Sequence, residues 1–250
     1  MNMPKDFHHP HAWVTGATSQ IGHFLVPRLQ GAGFVVTALS RQPQINAQNV
    51  SWQQRDLTTD GLPKPQNDSD FNILFHLAPL PLLPALLTRL PLEVTVSRIV
   101  AISSTSCLTK AHSADSAERR LARQLQVAET AVIESAQHRG IPWTLFRPTL
   151  IYGCGQDKNV TFIAQFIRRF GFFPIVAQGS GLRQPVHAED IAAACLQACL
   201  SPHTVQHIYE LSGGETLTYR QMVEAIFHQL GRKPRIISLP QPLFQRLFQI

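Results

Sequence analysis

Short apolar, β-branched runs alternate with segments of helical period along the first 150 residues. "AWVTG" reads as a strand, followed by a helix to about Gln30, then Gly31 and Gly33, then the strand "FVVTAL". Further strands are expected at "VSWQQ", "NILFHL", "SRIVAIS" and "PWTLFRP". A long amphipathic helix fills Ser116 to about Arg139, with Gly140 as its stop. Strands apolar on both faces and separated by helices imply a parallel sheet covered by helices. From about Thr149 the pattern changes. "FIAQFIRRFGFF" reads as an amphipathic helix ending at Gly171, and "AEDIAAACLQACL" as a second with Asp190 in its first turn, where an anion suits the positive helix end. "HIYELSGG" reads as a late strand, and "TYRQMVEAIFHQLG" opens with Thr218 and Gln221 in capping-box spacing and closes at Gly231. The expected architecture is α/β: a doubly wound parallel sheet over 1–148 and a smaller lobe over 149–250, with a strand near 207–211 able to rejoin the main sheet. Pro27 is a local misfit, expected to kink the first helix.

The 250 residues are 44% hydrophobic, enough for a sizeable core, and 15% charged, too few for extended disorder away from the ends. A net charge of +6 suits an anionic ligand, a nucleic acid or an acidic membrane face and does not choose among them. The basic clusters (Arg119, Arg120 and Arg123; Arg168 and Arg169; Arg232, Lys233 and Arg235) read as lacking interleaved aromatics, so nucleic acid is not expected as a partner. The four cysteines are too scattered for a disulfide framework, and Cys195 and Cys199, one helical turn apart, read as buried thiols. The start "MNMPKDFHHPHAW" has no apolar core of the signal-peptide kind. His8, His9 and His11 read as part of a solvated tail, and no metal site is expected. The run "ILFHLAPLPLLPALLTRL" is too short and too broken by prolines 79, 81 and 84 to span a membrane. A soluble, cytoplasmic protein is expected.

The stretch "VTGATSQIG", Val14 to Gly22, falls between the first strand and the first helix. Gly16 permits the tight turn of a dinucleotide-binding loop, and Gly22 lets the helix pack closely. Ser19 occupies the position where a middle glycine would admit a pyrophosphate; its hydroxyl can itself donate to a phosphate oxygen, beside the amides of the helix start. The second strand ends "ALSRQP", with no acid to hold ribose hydroxyls. Ser40 with Arg41 suits a 2′-phosphate, which favours NADP over NAD; the plain alternative for Arg41 is a surface arginine. Asp56, in "QQRDL", is either an acceptor for the adenine amino group or a turn residue.

In this order, "TGATSQIG", "RDL", "FHLA", "AISSTS", "AE" with "GIPWTLFRPTLIYG", and "GLRQPVHAEDIA" resemble the extended short-chain dehydrogenase/reductase superfamily, in its NAD-dependent epimerase/dehydratase group. The resemblance implies a Rossmann-type sheet with a C-terminal substrate lobe and a nucleotide-activated sugar or similar phosphorylated substrate. The cofactor contacts it implies fall on Gly16, Thr18, Ser19, Gln20, Ile21, Gly22, Ser40, Arg41, Asp56, Leu57, Leu77, Ala78 and Pro148. Ser104 matches the residue that hydrogen-bonds the reacting sugar hydroxyl. Asn159 and Arg183 match residues that bind the substrate's diphosphate, with a surface salt bridge as the alternative for Arg183. His187 and Asp190 match a segment whose work is to start the following helix.

The resemblance breaks at the catalytic pair. The family places a tyrosine and, one turn later, a lysine on one helix face, the lysine lowering the phenol pKa. Those slots hold Leu121 and Leu125, which with Ala128 and Val132 read as a packing stripe. Losing a general acid or base costs a rate factor of about 10²–10⁴. Tyr152, in "TLIYG", is the nearest chemical substitute, with a packed aromatic as the alternative; Lys110 offers a charge, while His112 and Cys154 have no evident partner. Two readings follow: an NADP(H)-dependent oxidoreductase acting through Ser104 and Tyr152, or a cofactor-binding sensor or accessory protein without turnover. A third, a peripheral membrane partner, rests on the basic charge and the apolar end "PLFQRLFQI". Homo-oligomerisation is left open.

Overall fold

The computed structural model describes residues 10–46, 49–65, 71–91 and 94–240. In chain order its strands are β1 (His11–Thr15), β2 (Val35–Ser40), β3 (Val50–Gln54), β4 (Asn72–His76), β5 (Arg98–Ile102), β6 (Trp143–Pro148), β7 (Ile151–Tyr152), β8 (Phe173–Val176), β9 (Leu182–Arg183), β10 (Val186–His187), β11 (His207–Leu211), β12 (Leu217–Thr218) and β13 (Ile236–Leu239). Its α-helices are α1 (Gln20–Gly31), α2 (Leu83–Thr88), α3 (Ser106–Thr109), α4 (Ser116–His138), α5 (Val160–Phe170), α6 (Ala188–Leu200) and α7 (Tyr219–Gln229). His8, His9 and the end "PLFQRLFQI" lie outside the described residues.

Seven parallel strands form the main sheet in the order β11-β6-β5-β4-β1-β2-β3. Order reverses across β1 and β4, the topological switch point of a Rossmann-type sheet. The central strands β1, β4 and β5 are buried throughout, as two covered faces require. Trp13, Leu74, Ile99 and Leu145 pack with α2 and α4 residues such as Leu83, Leu86, Leu125 and Val132. Burying each such side chain is worth about 1.5–3 kcal/mol. Helix α6 packs against α1 and β5.

By internal contacts the chain divides into two compact units. The first holds residues 1–149 and 188–211, the second 150–187 and 212–250. The chain therefore leaves the first unit near Thr149, returns for α6 and β11, and leaves again after Leu211.

Three local readings are corrected. His11 is not in a solvated tail: it opens β1, fully buried, with Nε2 at 2.8 Å from the Thr37 hydroxyl and its ring edge-on to Trp13. Burial lowers its pKa to about 4, which keeps it neutral. The α4 stripe does not include Leu121, which is 44% exposed; the buried positions are Ala122, Leu125, Ala128, Glu129, Val132 and Ala136. Next to Arg168 and Arg169 the rings of Phe166, Phe170 and Phe172 pack on one another, and the Arg169 guanidinium stands 5.3 Å from the Phe170 ring centroid. Pro27 sits on the exposed side of α1, where water can satisfy the carbonyl its ring leaves unbonded, and the helix runs on to Gly31.

In the second unit, α5 ends on Gly171 in the left-handed conformation, at φ 76°. Helix α7 carries the complete Thr218–Gln221 capping box. Ile163 and Ile167 pack on Phe173, Ile175, Met222, Val223, Ile226 and Phe227. Three two-stranded ribbons complete the unit: β8 with β13, β7 with β10, and β9 with β12.

Candidate functional site

At the carboxyl ends of β1, β2 and β4 the loops enclose a cavity of about 350 Å³. Gly16, Thr18, Ser19, Ser40, Arg41, Asp56, Leu57, Leu77 and Ala78 line it, joined by Leu39, Arg55, Thr58, Pro79 and Leu82. Nine of the positions singled out in the sequence thus meet in one place. Arg55 was passed over, because a single arginine after a strand carries no signal in a sequence. Gln20, Ile21 and Gly22 form the first turn of α1 and do not line the cavity. Pro148 is also apart: its carbonyl accepts from the Thr105 amide at 3.1 Å and the Thr105 hydroxyl at 3.2 Å.

Two glycines make the loop. Gly16 stands at φ +64°, and a Cβ there would lie 2.6 Å from the Ala78 amide nitrogen and 2.7 Å from the Leu77 carbonyl carbon. At Gly22 a Cβ would fall 2.2 Å from the Ala17 carbonyl oxygen, so the close approach is to the loop's own backbone. Ser19 is the N-cap of α1: its Oγ accepts from the Gly22 amide at 3.2 Å, which leaves the hydroxyl proton to donate into the cavity. Ser40 Oγ likewise accepts from the Gln42 amide, at 3.2 Å.

Behind the cavity, Thr15 Oγ1 lies 2.9 Å from His76 Nδ1, and His76 Nε2 lies 3.3 Å from the Pro79 carbonyl oxygen. His76 is fully buried, with its pKa lowered to about 4 by desolvation. A neutral ring that accepts at Nδ1 and donates at Nε2 fits both contacts and ties the Leu77–Pro79 loop over Gly16. Asp56 is exposed, and its Oδ1 accepts from the Thr58 amide at 2.9 Å and the Thr58 hydroxyl at 2.8 Å. Those bonds, helped by the Arg41 charge, hold its carboxyl below the usual range. The turn role is directly visible, and Arg41 is a near neighbour.

Beyond β5, Ser104 is half-buried, its Oγ accepting from the Ser106 amide at 3.2 Å. Beside it lies a network that the sequence reading did not find. Glu129 of α4, 4% exposed, accepts from Ser103 Oγ at 2.5 Å, from Arg147 Nε at 2.9 Å and from Arg147 Nη2 at 2.5 Å. The Cys107 thiol lies 3.6 Å from the same carboxylate. Burial works to raise the Glu129 pKa, but the bonds from Arg147 and Ser103 outweigh it and hold the group ionised below its usual range. Helix α4 contains neither tyrosine nor lysine. Lys110 is engaged, at 2.7 Å from Glu118 Oε1, which removes it as the missing charge. Cys154 is exposed, with its thiol pushed up by partial desolvation. Cys195 and Cys199 are buried and unpaired, and burial raises the Cys199 pKa to about 12.

Two cavities of the second unit involve residues singled out in the sequence. One, of about 580 Å³, brings Asn159 and Arg183 together with Phe162, Phe166, Phe173 and Tyr219 and with residues 174–177. Asn159 occupies the N-cap position of α5 without capping it. Asp157 does that work, its Oδ1 accepting from the amides of Asn159 and Thr161 at 3.0 Å each. Arg183 is exposed, donates to the Leu182 carbonyl at 2.7 Å and stands 5.7 Å from the Tyr219 ring centroid. Among the described residues no carboxylate pairs with Arg183, so the salt-bridge alternative is not what is seen. The other cavity, of about 690 Å³, is lined by Tyr152, Arg168, Glu215 and apolar residues of α5 and α7. The Tyr152 ring stands edge-on to His187 at 5.1 Å, the contact expected of a packed aromatic. Ser104 and Tyr152 belong to different units.

Residues 92–212 match the model of the NAD dependent epimerase/dehydratase family. Over 139 residues the chain is 29% identical to NADH dehydrogenase [ubiquinone] 1 alpha subcomplex subunit 9, mitochondrial, of Arabidopsis thaliana, which covers 55% of this chain and 33% of that protein. Over 230 residues it is 26% identical to the NAD(P)H azoreductase of Xenophilus azovorans, covering 90% of this chain and 76% of that one. The match spans about a third of the length of two of the curated relatives. Among solved structures, MoeE5 in complex with UDP-glucose and NAD shares the fold at a TM-score of 0.71 and 20% identity, covering 92% of this chain and 85% of its own. Among the described residues, no helix is long and apolar enough to cross a membrane.

Proposed function

From the match of residues 92–212 to the model of the NAD dependent epimerase/dehydratase family, we propose that the protein is an NADP(H)-dependent oxidoreductase of that family acting on a nucleotide-activated sugar. The observation that carries this reading is the meeting of Asn159 and Arg183 in one cavity that four aromatic residues, Phe162, Phe166, Phe173 and Tyr219, help to line. Two polar groups suited to a diphosphate beside rings suited to a nucleobase match the two halves of such a substrate. The relative solved with UDP-glucose and NAD supports the same substrate class.

The nicotinamide coenzyme supplies a hydride acceptor or donor when bound. The first unit's residues would hold it: Ser19, the N-cap of α1, would take the pyrophosphate, and Ser40 and Arg41 would take the 2′-phosphate. Ser104, just beyond β5, would orient the reacting hydroxyl by accepting a hydrogen bond from it or donating one to it. Tyr152 is the phenol that the resemblance offers for proton transfer in place of the family's helix tyrosine.

Fluorescence titration with NADPH and NADH tests the cofactor half. NADPH is expected to bind more tightly, and Arg41→Gln to remove most of that preference, a loss of roughly 10-fold or more for a charge-assisted phosphate contact. Equal affinity for both coenzymes in the native protein overturns it. Absorbance at the nicotinamide band with a panel of nucleotide sugars tests the substrate half. Arg183→Ala is expected to raise KM by roughly 10- to 100-fold with little change in kcat, since a ground-state clamp is lost.

A second reading has its own observation. Because α4 offers no tyrosine or lysine, a cofactor-binding accessory protein without turnover also fits, and one relative is named as a subunit of NADH dehydrogenase [ubiquinone]. Any sugar-dependent reduction of NADP removes it. Tight NADPH binding with no turnover on the whole panel favours it instead.

A further inference from the structure

We propose that the second unit docks on an anionic lipid surface through the aromatic and arginine-rich face at the C-terminal end of α5. The charge distribution is the first ground. The second unit's residues, 150–187 and 212–250, hold nine of the chain's 22 Lys and Arg but three of its 16 Asp and Glu, so they carry the entire net charge of +6. The remaining residues are balanced. No acid occurs from Lys158 to Ala188, nor anywhere after Glu224.

The second ground is where these charges sit. Phe166, Phe170 and Phe172 form one ring cluster, with centroids 4.6 Å apart for Phe166–Phe170 and 5.7 Å for Phe166–Phe172. Phe170 is 52% exposed, an unusual position for a phenylalanine on a helix with a buried isoleucine face. Arg169 lies over the Phe170 ring. Arg232 donates to the Ile167 carbonyl at 2.6 Å, and the Arg235 carbonyl accepts from the Phe173 amide at 2.9 Å, which brings the 232–235 basic cluster to the same turn. Among the described residues no carboxylate pairs with Arg168, Arg169, Lys233 or Arg235.

An exposed ring, Phe170, backed by the half-buried Phe166 and Phe172 and flanked by unpaired cations is the pattern of an interfacial element: the exposed ring enters the headgroup boundary while the guanidinium groups bind lipid phosphates. The same chemistry could be asked of a nucleic acid, but Phe166 and Phe172 meet edge-to-face at 89° and Phe166 and Phe170 at 47°, so the rings pack on one another and offer no open series of stacking platforms.

Sedimentation of the full chain with vesicles tests this directly. Vesicles of phosphatidylcholine containing about one quarter phosphatidylglycerol are expected to bind it, phosphatidylcholine alone much more weakly, with release at about 0.5 M NaCl. Arg169→Gln with Arg235→Gln should weaken binding about 25-fold, at roughly five-fold for each charge near the surface. Phe170→Ser with Phe172→Ser should weaken it by at least 10-fold. Phe170 and Phe172 line neither second-unit cavity, so NADPH and sugar-nucleotide binding should be unchanged. If the phenylalanine variant fails to fold, the arginine variant, altered at exposed side chains, still decides. Equal binding to both vesicle types overturns the proposal, as does wild-type binding by the folded variants. So does a poly(U) affinity above that for the anionic vesicles.

Discussion

Glu129→Ala is expected to lower stability by about 3–5 kcal/mol, because it strands the Arg147 guanidinium beside a buried cavity. For a chain of this size that is a fall in melting temperature of about 10 °C. Glu129→Gln retains the volume but cannot serve Arg147 and Ser103 together as an ionised acceptor, so it should recover only part of the loss. Acid should imitate the substitution. The folded pKa of Glu129 lies below its unfolded value, so its contribution is fully present above the ordinary carboxylate range and is lost as pH falls through the depressed folded value. Thermal melts from about pH 7 down to about pH 3 should therefore show a steeper acid limb for the native protein than for Glu129→Ala. Parallel limbs would mean that the pair does not couple to the proton.

Gly16→Ala is expected to abolish measurable dinucleotide binding, a loss of 100-fold or more. The new methyl faces backbone on two sides, Ala78 N and the Leu77 carbonyl, and neither can swing aside as a side chain would. The left-handed φ adds about 1–2 kcal/mol for a residue with a Cβ. The loop can relieve the clash only by lifting Leu77–Pro79, the segment that His76 fixes and that forms one wall of the cavity. Calorimetric titration with NADPH reads the result; retained affinity within about threefold would show that the loop yields more easily than its contacts imply.

Much of the first cavity is legible because its residues end a strand or follow one at the sheet's carboxyl edge. An apolar run marks where the strand ends, and the next residues line the switch point. The second-unit pairing of Asn159 and Arg183 came from resemblance alone, since no periodicity links a helix start to a distant two-residue strand. Helical spacing suggested the α4 stripe but not its rotation. Small residues at Ala122, Ala128 and Ala136 set the closest approach, which leaves Leu121 at the flank. Glu129 escaped notice because its partners, Ser103 and Arg147, lie far away in the chain on the ends of two strands. The polarity of His11 alone points to solvent; only Thr37, the hydroxyl on the neighbouring strand 2.8 Å from its Nε2, lets it be buried, and that pairing has no local signal in the sequence. The aromatic and arginine face was hidden by the helix reading itself, which sorts residues into inside and outside and says nothing of rings left outside.

The return of the chain to the first unit has a consequence for its birth on the ribosome. When β6 has emerged, six of seven strands exist, yet the β6 edge stays bare and the α1 face that receives α6 stays wet. About 60 more residues must be synthesised before β11 closes that edge, which at 5–20 residues per second is roughly 3–12 s. Throughout that interval the nascent sheet offers unpaired amides and carbonyls to any passing strand.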